Sequence, residues 1–127
     1  MNKIYQGDCL EVMDYLIEQE VLVDAIITDP PYGTTACKWD SVIPFDEMWL
    51  RLNKLIKPNG AIVLFGSQPF TSALVMSNPK MFKYEWVWET HKGKNPMFAK
   101  IQPMKIHENI LVFGDGKINY HPQMSEG

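Results

Sequence analysis

Near the start of the chain, KIYQG reads as a short strand. In CLEVMDYLIEQE, Leu10, Met13, Leu16 and Ile17 recur at helical spacing, and Asp8 stands where an N-cap belongs. VDAIITD is nearly continuous in apolar residues, the pattern of a strand buried on both faces of a parallel sheet. A loop, PPYGTTACKWDSVI, follows. The next helix is predicted from Pro44 through FDEMWLRLNKLIK to a turn at Pro58-Asn59-Gly60. AIVLFG reads as a second buried strand. Ser67 is placed to cap a third helix through QPFTSALVMS, with Pro69 tolerated in its first turn.

The pattern then changes. FKYEWVWET alternates, as does ENILVF before GDGKINY, so these segments predict antiparallel partners at the sheet edge. Trp86 and Trp88 fall on one face of such a strand and read as core or edge packing. Residues 91–105 have no period and contain two prolines, which predicts a long loop. Strands alternating with helices and closed by antiparallel strands give an α/β fold, a mostly parallel sheet with antiparallel closing strands, in one domain over 1–127.

Composition adds limits. At 127 residues, 46% hydrophobic and 21% charged, the chain has the make-up of one soluble globular domain. No apolar run approaches the roughly 20 residues of a membrane helix, and the N-terminus shows no signal-peptide pattern, so a cytoplasmic protein without a membrane partner is expected. Cys9 and Cys37 are too few for a zinc site or a disulfide framework, and no metal is expected. The net charge of −3 argues weakly against nucleic acid, but residues 80–107 carry six lysines against Glu85 and Glu89. That stretch is either a solvated loop or a phosphate-facing surface.

The chemistry concentrates where VDAIITD ends, in Asp29-Pro30-Pro31-Tyr32. Two prolines stop a β-ladder and stiffen the backbone. The segment sits beyond the carboxyl end of a strand, where α/β sheets bind ligands. Asp29 and the Pro30 carbonyl are two acceptors for the hydrogens of a planar amino group, and Tyr32 offers a ring face for stacking. Two such acceptors favour a pyramidal nitrogen with its lone pair free, an interaction that grows as charge develops on nitrogen. A strand-ending turn with a capping Asp is the plainer alternative.

With Tyr32-Gly33 following directly on a buried strand, the segment resembles the catalytic motif of the amino-methylating DNA methyltransferases, which make N6-methyladenine or N4-methylcytosine from S-adenosylmethionine. IYQGDCLEVM resembles the strand-and-acid segment before that motif. LIKPNGAIVLFGSQPF resembles the helix, turn, strand and loop after it, and YEWVWE and KIHENILVF resemble two later motifs. These matches run in family order to about Phe113.

The resemblance implies a Rossmann-like methyltransferase sheet, DNA as partner and S-adenosylmethionine as cofactor. In the catalytic motif Asp29-Pro30-Pro31-Tyr32, Asp29 and Pro30 would hold the target amine, and Tyr32 would stack on a flipped base. Asp8 and Cys9, with Asp29, would lie at the cofactor, although Asp8 is equally a plain helix cap. His107 falls in a loop of a later motif, where hydrogen bonding to nearby backbone is the blander reading. Trp39, beside Asp40, stands in a loop able to close over a base, or anchors packing. Lys92, Lys94, Lys100 and Lys105 are candidates for phosphate contacts.

The family's glycine-rich cofactor motif does not occur; Gly114-Asp115-Gly116 reads as a hairpin turn. In members with this motif order, that half follows a target-recognition region. The expectation is therefore an incomplete sheet, the catalytic half of a methyltransferase, completed by a second chain or a homodimer. A non-catalytic remnant that binds DNA or a partner, and a methyltransferase of RNA or protein glutamine, are the alternatives. Adenine is the expected target ahead of cytosine.

Overall fold

The computed structural model describes residues 2–32, 41–94 and 105–118. Three helices and four strands alternate as α1 (Cys9–Glu18), β1 (Val23–Thr28), α2 (Phe45–Leu55), β2 (Ile56–Gly66), α3 (Phe70–Ser77), β3 (Phe82–Lys94) and β4 (Lys105–Phe113). The sheet order is β1-β2-β4-β3. β1 and β2 are parallel, whereas β4 runs antiparallel to both β2 and β3. The mixed α/β sheet expected from the change of period is therefore present. Among the described residues no helix is long and apolar enough to cross a membrane.

The helices form where capping and periodicity place them. Asp8 accepts the Leu10 N–H at 2.9 Å and starts α1. α2 begins after Pro44 with Asp46 and Glu47 in its first turn and Lys54 in its last, which suits the helix dipole. Arg51 of α2 grips Asp14 of α1 through Nε–Oδ1 at 2.8 Å and Nη2–Oδ2 at 3.1 Å, and holds Glu47 one turn back. Trp49 Nε1 donates to Ser77 Oγ at 2.8 Å and joins α2 to α3.

One core results, and it lies on one side of the sheet. Met48, Trp49 and Leu52 of α2 and Phe70 and Leu74 of α3 pack on Ile62, Leu64, Leu111 and Phe113. Met13 of α1 and Ile26 of β1 border the same cluster. Strand pairing puts side chains of partnered residues on a common face. The opposite face therefore carries the rows Ile27-Val63-Val112-Tyr84 and Phe65-Ile110-Trp86. None of these side chains belongs to the helix-covered cluster.

Several expectations need correction. β1 is an edge strand rather than one buried on both faces: Ile27 is 70% exposed. KIYQG is not a strand, because the outer edge of β1 is unpaired among the described residues and a lone strand has no ladder to join. Pro58-Asn59-Gly60 does not end the helix but lies inside β2, as a bulge between the Ile56 and Ala61 pairings. Asn59 takes φ 68°, and a Cβ on Gly60 would meet the Asp24 carbonyl oxygen at 2.8 Å. The N-cap position of α3 is Pro69 rather than Ser67, and Gln68 Oε1 accepts from both the backbone N–H and the hydroxyl of Ser72 in the first turn. The described part of GDGKINY makes bends and no strand, with Gly116 at φ 73°. Of the loop expected over 91–105, residues 91–94 and 105 are strand instead, as β3 runs to Lys94 and β4 starts at Lys105, and residues 95–104 lie outside the described residues.

The two faces predict different costs of truncation. Leu64→Ala, at a fully buried position, should lose about 2–5 kcal/mol in urea unfolding. Ile27→Ala, on the open face, should lose less than about 1 kcal/mol in the same experiment. Equal losses would show that the open face is covered in solution.

Candidate active site

β1 stops where its sequence removes the means to continue. Thr28 pairs with Leu64, and then Pro30 and Pro31 offer no N–H. Asp29-Pro30-Pro31-Tyr32 therefore leaves the sheet at the carboxyl end of its one parallel pair among the described strands. Asp29 is exposed, Pro30 buried, and Pro31 and Tyr32 half-buried. The expected placement of this segment holds.

The Tyr32 ring is held from behind. It stacks on Phe70, the first residue of α3, with centroids 5.0 Å apart and planes inclined by 27°. Phe70 in turn contacts Phe45 of α2 at 5.8 Å. Aromatic offsets of this kind contribute about 0.5–1.5 kcal/mol beyond area burial. The Tyr32 hydroxyl is buried without a hydrogen-bond partner of good geometry, although the Asp29 carboxylate lies beside it. Burial first, then Asp29 and the nearby Glu108, push the phenol pKa well up.

Beside Asp29 lies a mainly apolar cavity of about 230 Å³. Its wall comes from Cys9 and Met13 of α1, Ile26 and Thr28 of β1, Pro30, and Ile43 before α2. The volume falls below the roughly 300–1,000 Å³ of pockets that enclose a small ligand. It can take one part of such a molecule. Asp8 is occupied as the α1 cap, yet it adjoins Cys9 on this wall. Cys9 is exposed at the rim of this wall, and desolvation, then the Asp8 charge, push its thiol pKa up.

The remaining candidates divide by strand direction. Gly66 at the end of β2 pairs with Asn109, so the residues of β4 before Asn109 and of β3 after Val87 extend past the end of the sheet where Asp29 sits. This hairpin places Lys92, Lys94, Lys105 and His107 along its backbone at that end. His107 is exposed and lies in β4 opposite Glu89, not in a loop, because the ladder continues beyond Glu108. Trp39, Asp40, Cys37 and Lys100 lie outside the described residues. Trp86 and Trp88 are about half exposed, and Trp88 meets Phe65 edge-on at 5.9 Å, as edge packing requires.

One contributor, Phe70, was not singled out from the sequence, whereas Glu108 falls beside His107 in a segment that was. Phe70 supports the Tyr32 ring, and its only signal is an aromatic residue just after Pro69. Glu108 reaches the field of Tyr32 from β4, a contact that depends on strand pairing. Among the described residues no group of His, Cys, Asp and Glu side chains could hold a metal ion.

No protein-family model matches the chain, and no curated protein matches it in sequence. Solved structures do match. The complex of M1.HpyAVI with SAM is 25% identical at a TM-score of 0.75, over 100% of this chain and 64% of that one. A second structure of M1.HpyAVI gives 23% identity and a TM-score of 0.72 over the same shares. PvuII DNA methyltransferase, cytosine-N4-specific, is 19% identical at a TM-score of 0.60, over 87% of this chain and 48% of that one. The chain thus spans less than two thirds of the length of each. Over that span, its fold is the one that these solved structures share, PvuII DNA methyltransferase among them.

Proposed function

We propose that this chain is the catalytic portion of an S-adenosylmethionine-dependent DNA methyltransferase acting on the N6 amine of an adenine turned out of the duplex. The observation that carries the reading is the position of Asp29-Pro30-Pro31-Tyr32, at the carboxyl end of β1 and on the rim of the apolar cavity. The fold of the solved DNA methyltransferases supports it.

Each residue has a role in that reading. The Asp29 carboxylate, exposed above the cavity, accepts one amine hydrogen, and the Pro30 carbonyl accepts the other. Both bonds strengthen as the nitrogen gains positive charge, so they stabilise the transition state more than the ground state. Pro31 stiffens the backbone between the acceptors and Tyr32, which lowers the entropy lost on alignment. Tyr32, backed by Phe70, offers a neutral ring for stacking. Lys92 and Lys94 on the projecting hairpin would meet phosphates, with His107 on the same hairpin near the base.

The cavity fits one end of the cofactor: apolar walls at Met13, Ile26 and Ile43 suit an adenine ring, with Cys9 and Asp29 also on the wall and Asp8 next to Cys9 in the chain. S-adenosylmethionine would supply an electrophilic methyl group. After transfer the ammonium sheds its proton to solvent, so no dedicated base is needed.

The direct test is labelled methyl transfer to mixed-sequence duplex DNA, by the chain alone and mixed with the part of M1.HpyAVI outside the matched span. Transfer is expected in one of the two conditions, and Asp29→Ala should cut it by about 10²–10³-fold. N6-methyladenine is the product expected from nucleoside analysis; N4-methylcytosine would move the target to that of the PvuII enzyme. No transfer in either condition, with DNA binding unchanged in Asp29→Ala, would reduce the motif to a strand-ending turn.

Tyr32→Ala should weaken binding to DNA holding an unpaired adenine by roughly 5- to 150-fold, equivalent to about 1–3 kcal/mol of stacking, whereas Tyr32→Phe should not. The phenol adds a pH signature. Its folded pKa lies above the ordinary tyrosine value, so stability is unchanged below about pH 10 and falls as pH rises further. Tyr32→Phe should flatten that fall in urea midpoints measured at pH 8 and 10.5. Finally, Lys92→Ala with Lys94→Ala should lower the slope of log binding constant against log salt by about 2.

A further inference from the structure

Buried side chains are apolar except at one junction. Among the described residues Thr71 and Asn109 are the two buried polar ones, 3% and 8% exposed. The Thr71 hydroxyl donates to Asn109 Oδ1 at 3.1 Å, and Asn109 Nδ2 reaches Glu85 Oε2 at 3.5 Å. Both ends of the amide thus meet a group of the right kind. Asn109 pairs with Gly66, and a Cβ on Gly66 would meet the Thr71 hydroxyl oxygen at 2.8 Å. The first turn of α3 is therefore seated on the β2–β4 pair, at the end of the sheet where Asp29 leaves β1.

Directional contacts matter for α3 because a helix of eight residues is not stable alone. Its N-cap residue, Pro69, makes no side-chain capping bond, and the Gln68–Ser72 bonds are local to the first turn. Its last residue, Ser77, is tied to Trp49 of α2, and its second, Thr71, to β4. Its first residue, Phe70, is 6% exposed and stacks on Tyr32. A side chain lies about 5–6 Å from a helix axis, so turning α3 by about 20° would carry the Phe70 ring about 2 Å sideways. Apolar burial does not by itself select one rotation, whereas a hydrogen bond has a preferred angle.

We infer that Thr71 and Asn109 are positioning residues: their hydrogen bond sets the rotation of α3 on β4, and through Phe70 it sets where the Tyr32 ring, and a base stacked on it, can lie. The base enters through the proposed function, on which this role rests, but neither residue touches substrate. The junction also joins two elements that flank the site, since β4 carries Glu108, whose charge reaches Tyr32. The cavity beside Asp29 is independent of it. That cavity takes its walls from α1, β1, the segment after β1 and α2, and none from α3 or β4. A loosened junction therefore misplaces the ring and leaves the cavity intact. A displacement of about 1 Å can cost about 10²-fold in rate.

Ring contact is read without cofactor or DNA, from nuclear Overhauser effects between the Tyr32 and Phe70 ring protons in the full chain. Thr71→Val keeps the shape and loses the hydroxyl; it should weaken these effects at least twofold, and Thr71→Ser should retain them. Ser77→Ala, at the other end of α3, should lower the melting temperature and leave them unchanged. Thr71→Val with Asn109→Leu leaves neither polar group of the pair buried and unpaired, so it should recover melting temperature but not ring contact. This double variant decides the matter if Thr71→Val alone unfolds. In the active condition of the transfer assay, Thr71→Val should lower kcat about 10- to 100-fold and leave KM for S-adenosylmethionine within twofold. Unchanged ring contact in Thr71→Val would show that Phe45 and the core suffice to hold Phe70, and would overturn the inference. So would recovery of the contact in the double variant, or an equal loss in Ser77→Ala. A parent chain inactive in both conditions would defeat the proposed reaction instead, and the ring contacts would still decide the junction.

Discussion

The parallel pairing of β1 with β2 is the constraint on which the rest of the structure depends. Parallel strands cannot be joined by a tight turn, so the chain must leave the sheet, cross over and return. α2 makes that crossing. Its return brings the carboxyl ends of β1 and β2 side by side, with Thr28 opposite Leu64. Everything after Thr28 therefore starts from one end of the sheet. Two prolines at that point make the exit stiff, and the acid, carbonyl and ring are delivered together.

The helix layer keeps that exit in place. Arg51 joins α1 to α2, and Trp49 joins α2 to α3 through Ser77. α3 in turn brings Phe70 under the Tyr32 ring. The aromatic contact ties the Asp29–Tyr32 segment to a core whose central members, Ile62, Leu64, Leu74, Leu111 and Phe113, are fully buried. The small Thr71–Asn109 hydrogen bond, at 3.1 Å, satisfies the polar groups buried beside Gly66, where a Cβ would collide with the Thr71 hydroxyl. A rigid floor and an exposed Asp29 are compatible because the load is carried by Pro30, Tyr32 and Phe70. Asp29 itself remains available to a ligand.

The one-sided packing links fold to function. A sheet with helices on a single face has spent its apolar residues unevenly: alternate β-strand positions face the helices, and those between them face away. On β3, with few apolar neighbours, Trp86 and Trp88 are left half exposed. The same asymmetry limits the cavity by Asp29, which has walls from α1, β1 and the segment before α2 but none from beyond the free edge of β1.

Local rules were enough for much of this. The periodicity of α1 and α2, the cap at Asp8, the breaks at Pro30 and Pro44 and the shift to alternation after residue 80 are near-neighbour effects, and each appears where the residues put it. The exit of Asp29-Pro30-Pro31-Tyr32 from the end of β1 was legible for the same reason, since two consecutive prolines stop a ladder locally. Tertiary structure alone decided the rest. VDAIITD reads as buried on both faces because its composition cannot tell a covered face from an uncovered one. His107 lies in a strand because of its pairing with Glu89, and Tyr32 owes its support to Phe70, 38 positions away. Burial, strand pairing and ring contact are properties of partners distant in the chain, and no local pattern contains them.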